Sequence, residues 1–339
     1  MPFKKILAPL MGLALSPAIG LGETLVKVQK RGLLHCGVSD GLPGFSYPND
    51  KGQWSGIDVD LCRGVAAAIF DDPTKVKYYA LSAKERFTAL QSKEVDLLSR
   101  NTTWTLSRDT SLGLNFTGVT YYDGQGFMVK KSLGVKSVNE LSGAVICLQT
   151  GTTTELNVGD YFGSRKMTYK LVAFEKDDEA VAAYDTGRCD VYTTDQSGLY
   201  ANKTKLKNPT DHLILPEIIS KEPLGPAVRQ GDDQWSDIIR WTLYAMLQAE
   251  ELGITFQNVE AAKKSDTRPE VVRLLGSDTS QMGKMLGLSD DWAYRVIKHV
   301  GNYGEIFDRN LGDSSPLKIA RGYNKLWNQG GLQYAMPIR

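Results

Sequence analysis

The chain is poor in the residues that most often carry catalysis. It has three histidines, His35, His212 and His299, and four cysteines, Cys36, Cys62, Cys147 and Cys189, none of them in a CxxC pair. A zinc site or a histidine-based catalytic triad therefore has little to be built from. A surplus of one charge is missing too. The 40 basic and 39 acidic residues leave a formal net charge of +1. That balance removes the electrostatic motive for nucleic acid or an anionic membrane as the main partner. Beyond the N-terminus no run is long and apolar enough to span a bilayer. What is present suits a folded soluble protein, with 42% apolar and 23% charged residues. At roughly 100–200 residues per domain, the length suits two domains.

The N-terminus reads as an export signal over residues 1–22. Lys4 and Lys5 precede the apolar "ILAPLMGLALSPAIGLG", which ends in small residues before Glu23. The alternative is a retained anchor, but Pro9 and Pro17 interrupt the run. Cleavage removes two lysines and no acid, turning the net charge from +1 to −1. In an oxidising compartment four cysteines favour two disulfides, in any of three pairings.

The pattern after residue 32 alternates strand and helix. "GLLHCGVS" reads as a buried strand, and "GIDVDLCRGVAAAIF" as a helix with Ile57, Leu61, Val65 and Ile69 in one stripe. Asp58 and Asp60 suit its start, where carboxylates favour the helix dipole; a catalytic pair or metal site is the costlier reading. "VKYYAL" and "VDLLSR" read as further strands around the helix "AKERFTALQSKE". A second α/β unit follows: "GAVICLQT", "MTYKLVAF" and "CDVYTTD" as strands, with "KDDEAVAAYDTGR" as a helix. Such alternation implies mainly parallel sheets. An extended crossing near residues 121–126 joins the units. "QWSDIIRWTLYAMLQAEELG" reads as an amphipathic helix ending at Gly253, and the remainder, including "SPLKIARGYNKLWNQGG", as helices with short loops. The late aromatics Trp292, Tyr294, Tyr303, Phe307 and Trp327 read as core.

Ligands of open α/β sheets bind beyond the carboxyl ends of strands. Three polar segments end strands here: "RNTTWTLSR", "TGTTTE" and Asp195. They combine a guanidinium, hydroxyls, backbone amides and a carboxylate, which complements an amino acid's two charged groups. Arg108 suits a carboxylate through two parallel bonds. Asp195 suits an ammonium, and Asn101, Thr103 and Thr153 complete a cradle at a helix start. The plainer readings are a surface ion pair for Arg108 with Asp109, a capping box for Thr152 and Glu155, and a helix cap for Asp195.

"GIDVDLCRGVAAAI", from Gly56 to Ile69, resembles the signature of family-3 bacterial solute-binding proteins, the periplasmic amino-acid receptors of ABC importers. "GLPGFS", "RNTTWTLSRD", "GNYGEIF", "SPLKIARG" and "GGLQYAMPIR" are similar to the general L-amino-acid-binding subgroup. The resemblance implies an α/β, two-lobed fold of the type II periplasmic-binding-protein kind, with a hinge and a helical C-terminal extension from about 254. It implies lobe 1 over 23–121 and 225–339 and lobe 2 over 126–220. It places Arg108, twelve residues after Asp96, on the α-carboxylate, and Asn101 and Thr103 beside it. Gly151, Thr152 and Thr153 match the Gly-Thr-Thr turn, and Asp195, seven after Arg188, matches the ammonium partner. Arg86, ten before Asp96, matches the position that reads a side-chain carboxylate in acidic-amino-acid receptors. Leu42 stands where cationic-amino-acid receptors carry a ring, which argues against a preference for Lys, Arg or His. Arg100 replaces a small residue and is expected to shape selectivity or brace the hinge.

The expected partners are a free L-amino acid and the permease subunits of an ABC importer, for a periplasmic monomer without cofactor or metal. Closure of the lobes argues for pairing Cys36 with Cys62 and Cys147 with Cys189, within each lobe. The competing functions are an exported dehydratase-like enzyme, for which the cleft offers no histidine, and a ligand-sensing module.

Overall fold

The computed structural model describes residues 23–339, and the export-signal reading of residues 1–22 lies outside the described residues. Two five-stranded sheets form the two lobes. In the first, strands run in the order Val76–Leu81, Leu34–Ser39, Leu97–Leu98, Ala227–Arg229, Leu114–Phe116. The first three are parallel and the last two join antiparallel. In the second the order is Lys170–Phe174, Val145–Gln149, Val191–Asp195, Gln125–Lys130, His212–Ile214. Here too the first three are parallel and the others antiparallel. Each sheet thus points the carboxyl ends of its three parallel strands the same way, toward a common cleft.

The chain crosses between the sheets twice. Tyr121–Asp123 and Glu222–Leu224 run antiparallel and place Glu222 opposite Asp123. The extended run near 121–126 is therefore two elements, a crossing strand and then Gln125–Lys130 inside the second sheet. Gly225 lets the two connections meet, because a Cβ there would stand 2.0 Å from the Gly118 carbonyl oxygen.

The helix Ile57–Phe70 is more deeply enclosed than a single stripe requires. Val59, Cys62, Ala66, Ala67 and Ala68 are buried along with Ile57, Leu61 and Val65. The sheet covers one side, and the helices Asp233–Glu251 and Trp292–Val300 cover the other. Small residues allow this: a Cβ on Gly64 would meet Met246 Cε at 2.2 Å. Asp60 stands in the helix's first turn, as its sequence position suggests. It is buried and accepts from Arg63, Arg309 and Asn310, the last two on the helix Tyr303–Asn310. A carboxylate in the first turn of this helix is thus spent on fastening the C-terminal region to the first lobe.

That region is helical only to Asn310. "SPLKIARGYNKLWNQGG" forms no continuous helix, contrary to its sequence reading, and keeps only the single turns Gly322–Asn324 and Trp327–Gln329. Lys318, Gly322 and Gly330 have positive φ, which breaks helical continuity. The segment's polar groups bond the crossing instead. Asn324 accepts from the Tyr122 amide at 2.7 Å and donates to its carbonyl at 3.1 Å. Gln333 donates to the Val119 carbonyl, and the Tyr303 hydroxyl donates to that of Thr120. Trp292, Tyr294, Tyr303 and Phe307 are core residues, whereas Trp327 is half exposed and donates to Glu251.

Disulfides join Cys36 to Cys62 and Cys147 to Cys189. The first ties a strand to the helix beside it; the second ties the middle of the strand Val145–Gln149 to the loop that leads into Val191–Asp195. Among the described residues no helix is long and apolar enough to cross a membrane. Loops of 26 and 42 residues give each bridge about 3–4 kcal/mol in the chain-entropy account. Replacing Cys147 and Cys189 by Ser is expected to cost about that much in urea unfolding. Peptide mapping under non-reducing conditions should recover both intra-lobe pairs, and Cys36 joined to Cys147 would contradict the arrangement.

Candidate ligand-binding site

The short strand Leu97–Leu98 ends in a loop whose shape is fixed from below. Asn101 has φ of 22°, and its amide donates to Asp58 Oδ2 at 2.8 Å. Asp58 also faces the Ser99 hydroxyl at 3.5 Å and is buried. Burial pushes its carboxyl up to about 7, against the Asn101 amide, Arg100 and Ser99, which all pull it down. Asp58, in the helix's first turn as read, is therefore also a loop clamp. The side-chain oxygen of Asn101 is buried without a partner, beside the cleft.

Three guanidiniums come from the first lobe. Arg108 is buried on the short helix Leu106–Ser111, whose cap is the Thr105 hydroxyl accepting from the Arg108 amide at 3.3 Å. It donates to the Thr103 carbonyl at 2.9 Å, so the surface ion pair with Asp109 does not form. Arg86 is buried too, donating to the Thr102 hydroxyl at 3.3 Å and, across the cleft, to the Gly151 carbonyl at 3.4 Å. Its Nε has no partner. Both guanidiniums lie against the Phe87 ring, 4.8 and 5.3 Å from its centre. Arg100 donates to the Leu81 carbonyl at 2.9 Å and lies 3.9 Å from Asp40. Burial pulls Arg108 down to about 10, opposed by Glu222 and Asp195. Burial, and then Arg100 and Arg108 as like charges, pull Arg86 down as well.

Three carboxylates face them from the second lobe and the crossing strands. Asp195 ends its strand buried and makes no side-chain cap to the helix Gln196–Lys203. Burial, then Asp123 and Glu222 as like charges, hold its carboxyl well above the usual range, while Arg86 and Arg108 act against them. Burial pushes Asp123 up to about 6, although the Ser197 hydroxyl and the Gly124 amide bond it. Glu222 accepts four hydrogen bonds: Thr103 Oγ1 at 2.6 Å, Thr153 Oγ1 at 2.8 Å, Asn157 Nδ2 at 2.7 Å and Ser220 Oγ at 2.6 Å. Thr103 and Thr153 also stand 3.4 Å apart across the cleft.

The structure thus brings Arg86, Arg108, Asp195, Thr103, Thr153 and Asn101 to one cleft. Thr152 is the exception, with its hydroxyl turned to the Gln149 carbonyl at 2.8 Å. No capping box forms there, because Glu155 bonds Thr150 instead. Asp123, Glu222 and Asn157 were not singled out in the sequence. Their only signal is that each sits at a crossing strand or one turn into the helix Thr153–Ser164. The three histidines bond elsewhere: His35 with Tyr79, His212 with Tyr184 and His299 with Asp71. Among the described residues no group of three or more His, Cys, Asp or Glu could hold a metal. Chemically, the cleft offers positive charge on one wall and negative charge on the other, without a histidine as general base.

Residues 34–257 match the model of the bacterial extracellular solute-binding proteins, family 3. A general L-amino-acid-binding periplasmic protein of Rhizobium johnstonii is 61% identical over 339 residues, 99% of either chain. A glutamate/glutamine/aspartate/asparagine-binding protein of Rhodobacter capsulatus is 53% identical over 96% of each. A periplasmic binding protein of Brucella ovis, solved with glutathione bound, superposes with a TM-score of 0.92 at 63% identity, covering 93% of this chain and 99% of that one.

The buried acids give the fold a definite pH dependence. Asp58 and Asp123 have folded-state values of about 7 and about 6, against an ordinary 3.8, and Asp195 shifts the same way. The folded state therefore binds protons that the unfolded chain has released, so these groups make stability fall as pH rises between about 4 and 7. Unfolding midpoints in urea are expected to be lower at pH 8 than at pH 5.5. Asp195→Asn should flatten that slope, and an unchanged slope would contradict the charge environment described.

Proposed function

From the premise that this chain belongs to the bacterial extracellular solute-binding proteins, family 3, we propose that it captures L-amino acids by lobe closure and delivers them to the permease of an ABC importer. The observation that carries this is the division of charge: Arg86, Arg100 and Arg108 on one wall, Asp195, Asp123 and Glu222 on the other. A zwitterion placed between them meets a cation with its carboxylate and an anion with its ammonium. Arg108 grips the α-carboxylate, Asp195 takes the α-ammonium, and Asn101, Thr103 and Thr153 line the cradle; Thr152 shapes the turn. Arg86, lying against Phe87 with an unpartnered Nε, supplies a cation beyond those an α-carboxylate needs, which favours L-glutamate among the ligands. The relatives' binding of general L-amino acids, or of acidic amino acids and their amides, supports that range.

The proposed lobes are residues 23–121 with 225–339, and 126–220. Export to the periplasm and a monomeric receptor complete the reading. Moving the receptor from mostly open to mostly closed takes about 5 kcal/mol of differential affinity. Two charge pairs completed only on closure can supply it, less what desolvation removes. A second reading rests on the Brucella structure: glutathione also carries an amino-acid head group, so a cleft that holds the head can admit a peptide tail.

A thermal-shift screen of the twenty L-amino acids and glutathione tests the proposal, since a ligand of the native state raises the midpoint. Arg108→Ala and Asp195→Ala each truncate a buried charge pair, worth roughly 2–5 kcal/mol. Calorimetry should show L-glutamate affinity falling by about two orders of magnitude or more in each, with circular dichroism unchanged. Near-normal affinity in either variant would refute its assigned role.

A further inference from the structure

Glu222 stands with the acidic wall, on a crossing strand, yet its side chain bonds residues of both lobes. One oxygen, Oε2, accepts from the Thr103 hydroxyl of the first lobe at 2.6 Å and from the Thr153 hydroxyl of the second at 2.8 Å. The other, Oε1, accepts from Asn157 at 2.7 Å and Ser220 at 2.6 Å. The side chain is buried, and its strand pairs with the other crossing strand opposite Asp123. All four partners are donors, so an ionised carboxylate satisfies every one of them, whereas an amide or a hydrocarbon cannot.

A hydroxyl has one hydrogen and two lone pairs. With both hydrogens committed to Glu222, Thr103 and Thr153 can only accept from a ligand. They therefore offer nothing to a ligand carboxylate and two acceptors to an ammonium. The sequence alone suggests a general polar cradle from these threonines; the bonding gives the cradle a polarity. The Glu222 charge, which acts on both Arg108 and Asp195, adds to the same preference for a cation on that side.

We propose that Glu222 is a positioning residue that fixes the hydroxyls of Thr103 and Thr153 as acceptors and so makes the site demand an α-ammonium group. The proposal deepens the amino-acid-receptor reading and rests on it. Glu222 does not touch the ligand in this account; it acts through the two threonines and through the closed arrangement that brings them together.

L-Glutamate and glutarate separate this role from a merely structural one, because they differ only in the amino group. Calorimetry on the full mature chain is expected to show glutarate binding at least a hundredfold more weakly than L-glutamate. In Glu222→Gln the amide removes the charge and leaves one acceptor for four donors. The threonine hydroxyls are then free to turn toward a carboxylate. The affinity for L-glutamate should fall at least tenfold and the glutamate-to-glutarate ratio should shrink at least tenfold. Glu222→Ala should shrink the ratio too, and if it fails to fold, the near-isosteric Gln variant carries the test. Loss of both affinities in equal proportion would show a structural role only and overturn the proposal, as would an unchanged ratio. A wild-type protein that binds neither compound would instead remove the receptor reading beneath it.

Discussion

Like charges held together on each wall of a buried cleft are the constraint the rest of this structure serves. Three guanidiniums repel one another on the first lobe, and three carboxylates repel one another across from them. Each carries a desolvation cost of several kcal/mol in a buried site. The directions of the shifts record that cost: Asp123 and Asp195 are pushed up and Arg86 and Arg108 down, with burial the largest cause in each case. The walls do attract each other, and Glu222, bridging Thr103 and Thr153, brings a carboxylate into hydrogen-bonding contact with both lobes. A ligand with both charges relieves both walls at once. A ligand with one relieves a single wall and leaves the other costly. Selectivity for zwitterions then follows from electrostatics, before any side-chain pocket is considered.

Such an arrangement holds only on a rigid support, since charges free to swing would move to solvent. The support is built from buried polar clamps. Asp58 holds the Asn101 amide from a helix beneath the loop, and the Thr105 hydroxyl caps the short helix that presents Arg108. Asp60, two residues along, ties the same helix to Arg309 and Asn310. The disulfides add covalent ties inside each lobe and none between them. These ties fasten the walls from within, and the two crossing strands join one wall to the other.

Much of this was legible in the sequence for a physical reason. Strands and helices of an α/β unit alternate with distinct periods, so the parallel strands of both sheets could be read from apolar runs and turn residues, whereas the short strands Leu114–Phe116, Ala227–Arg229 and His212–Ile214 could not. Strand-end polar groups are also local signals, and Arg108, Asp195, Thr103 and Thr153 meet in one cleft as their positions suggested. What was illegible depends on partners distant in the chain. Glu222 lies 119 residues from Thr103 and 69 from Thr153, in a stretch, "SKEPLG", with no periodicity of its own. Asp58 and Asp60 stand in the first turn as read, but nothing nearby in sequence shows that tertiary partners also claim them. The final segment was misread as helix because Lys318 takes a positive φ, which its residue type does not announce.

The long C-terminal region has a structural reason that the family match alone does not supply, since that match ends at residue 257. Its last residues reach the first crossing strand from outside. Asn324 takes both backbone groups of Tyr122, while Gln333 and Tyr303 take the carbonyls of Val119 and Thr120. The crossing backbone is thus held to the first lobe up to Tyr122. The next side chain, Asp123, already bonds Ser197 of the second lobe. The change of partners falls within one peptide unit, and on the antiparallel second crossing it falls beside Glu222, paired opposite Asp123. Two of the three cleft carboxylates therefore stand where the chain passes from one lobe's bonds to the other's. A bend at that point moves charge as well as mass, which couples the geometry of closure to the electrostatics that a ligand must satisfy.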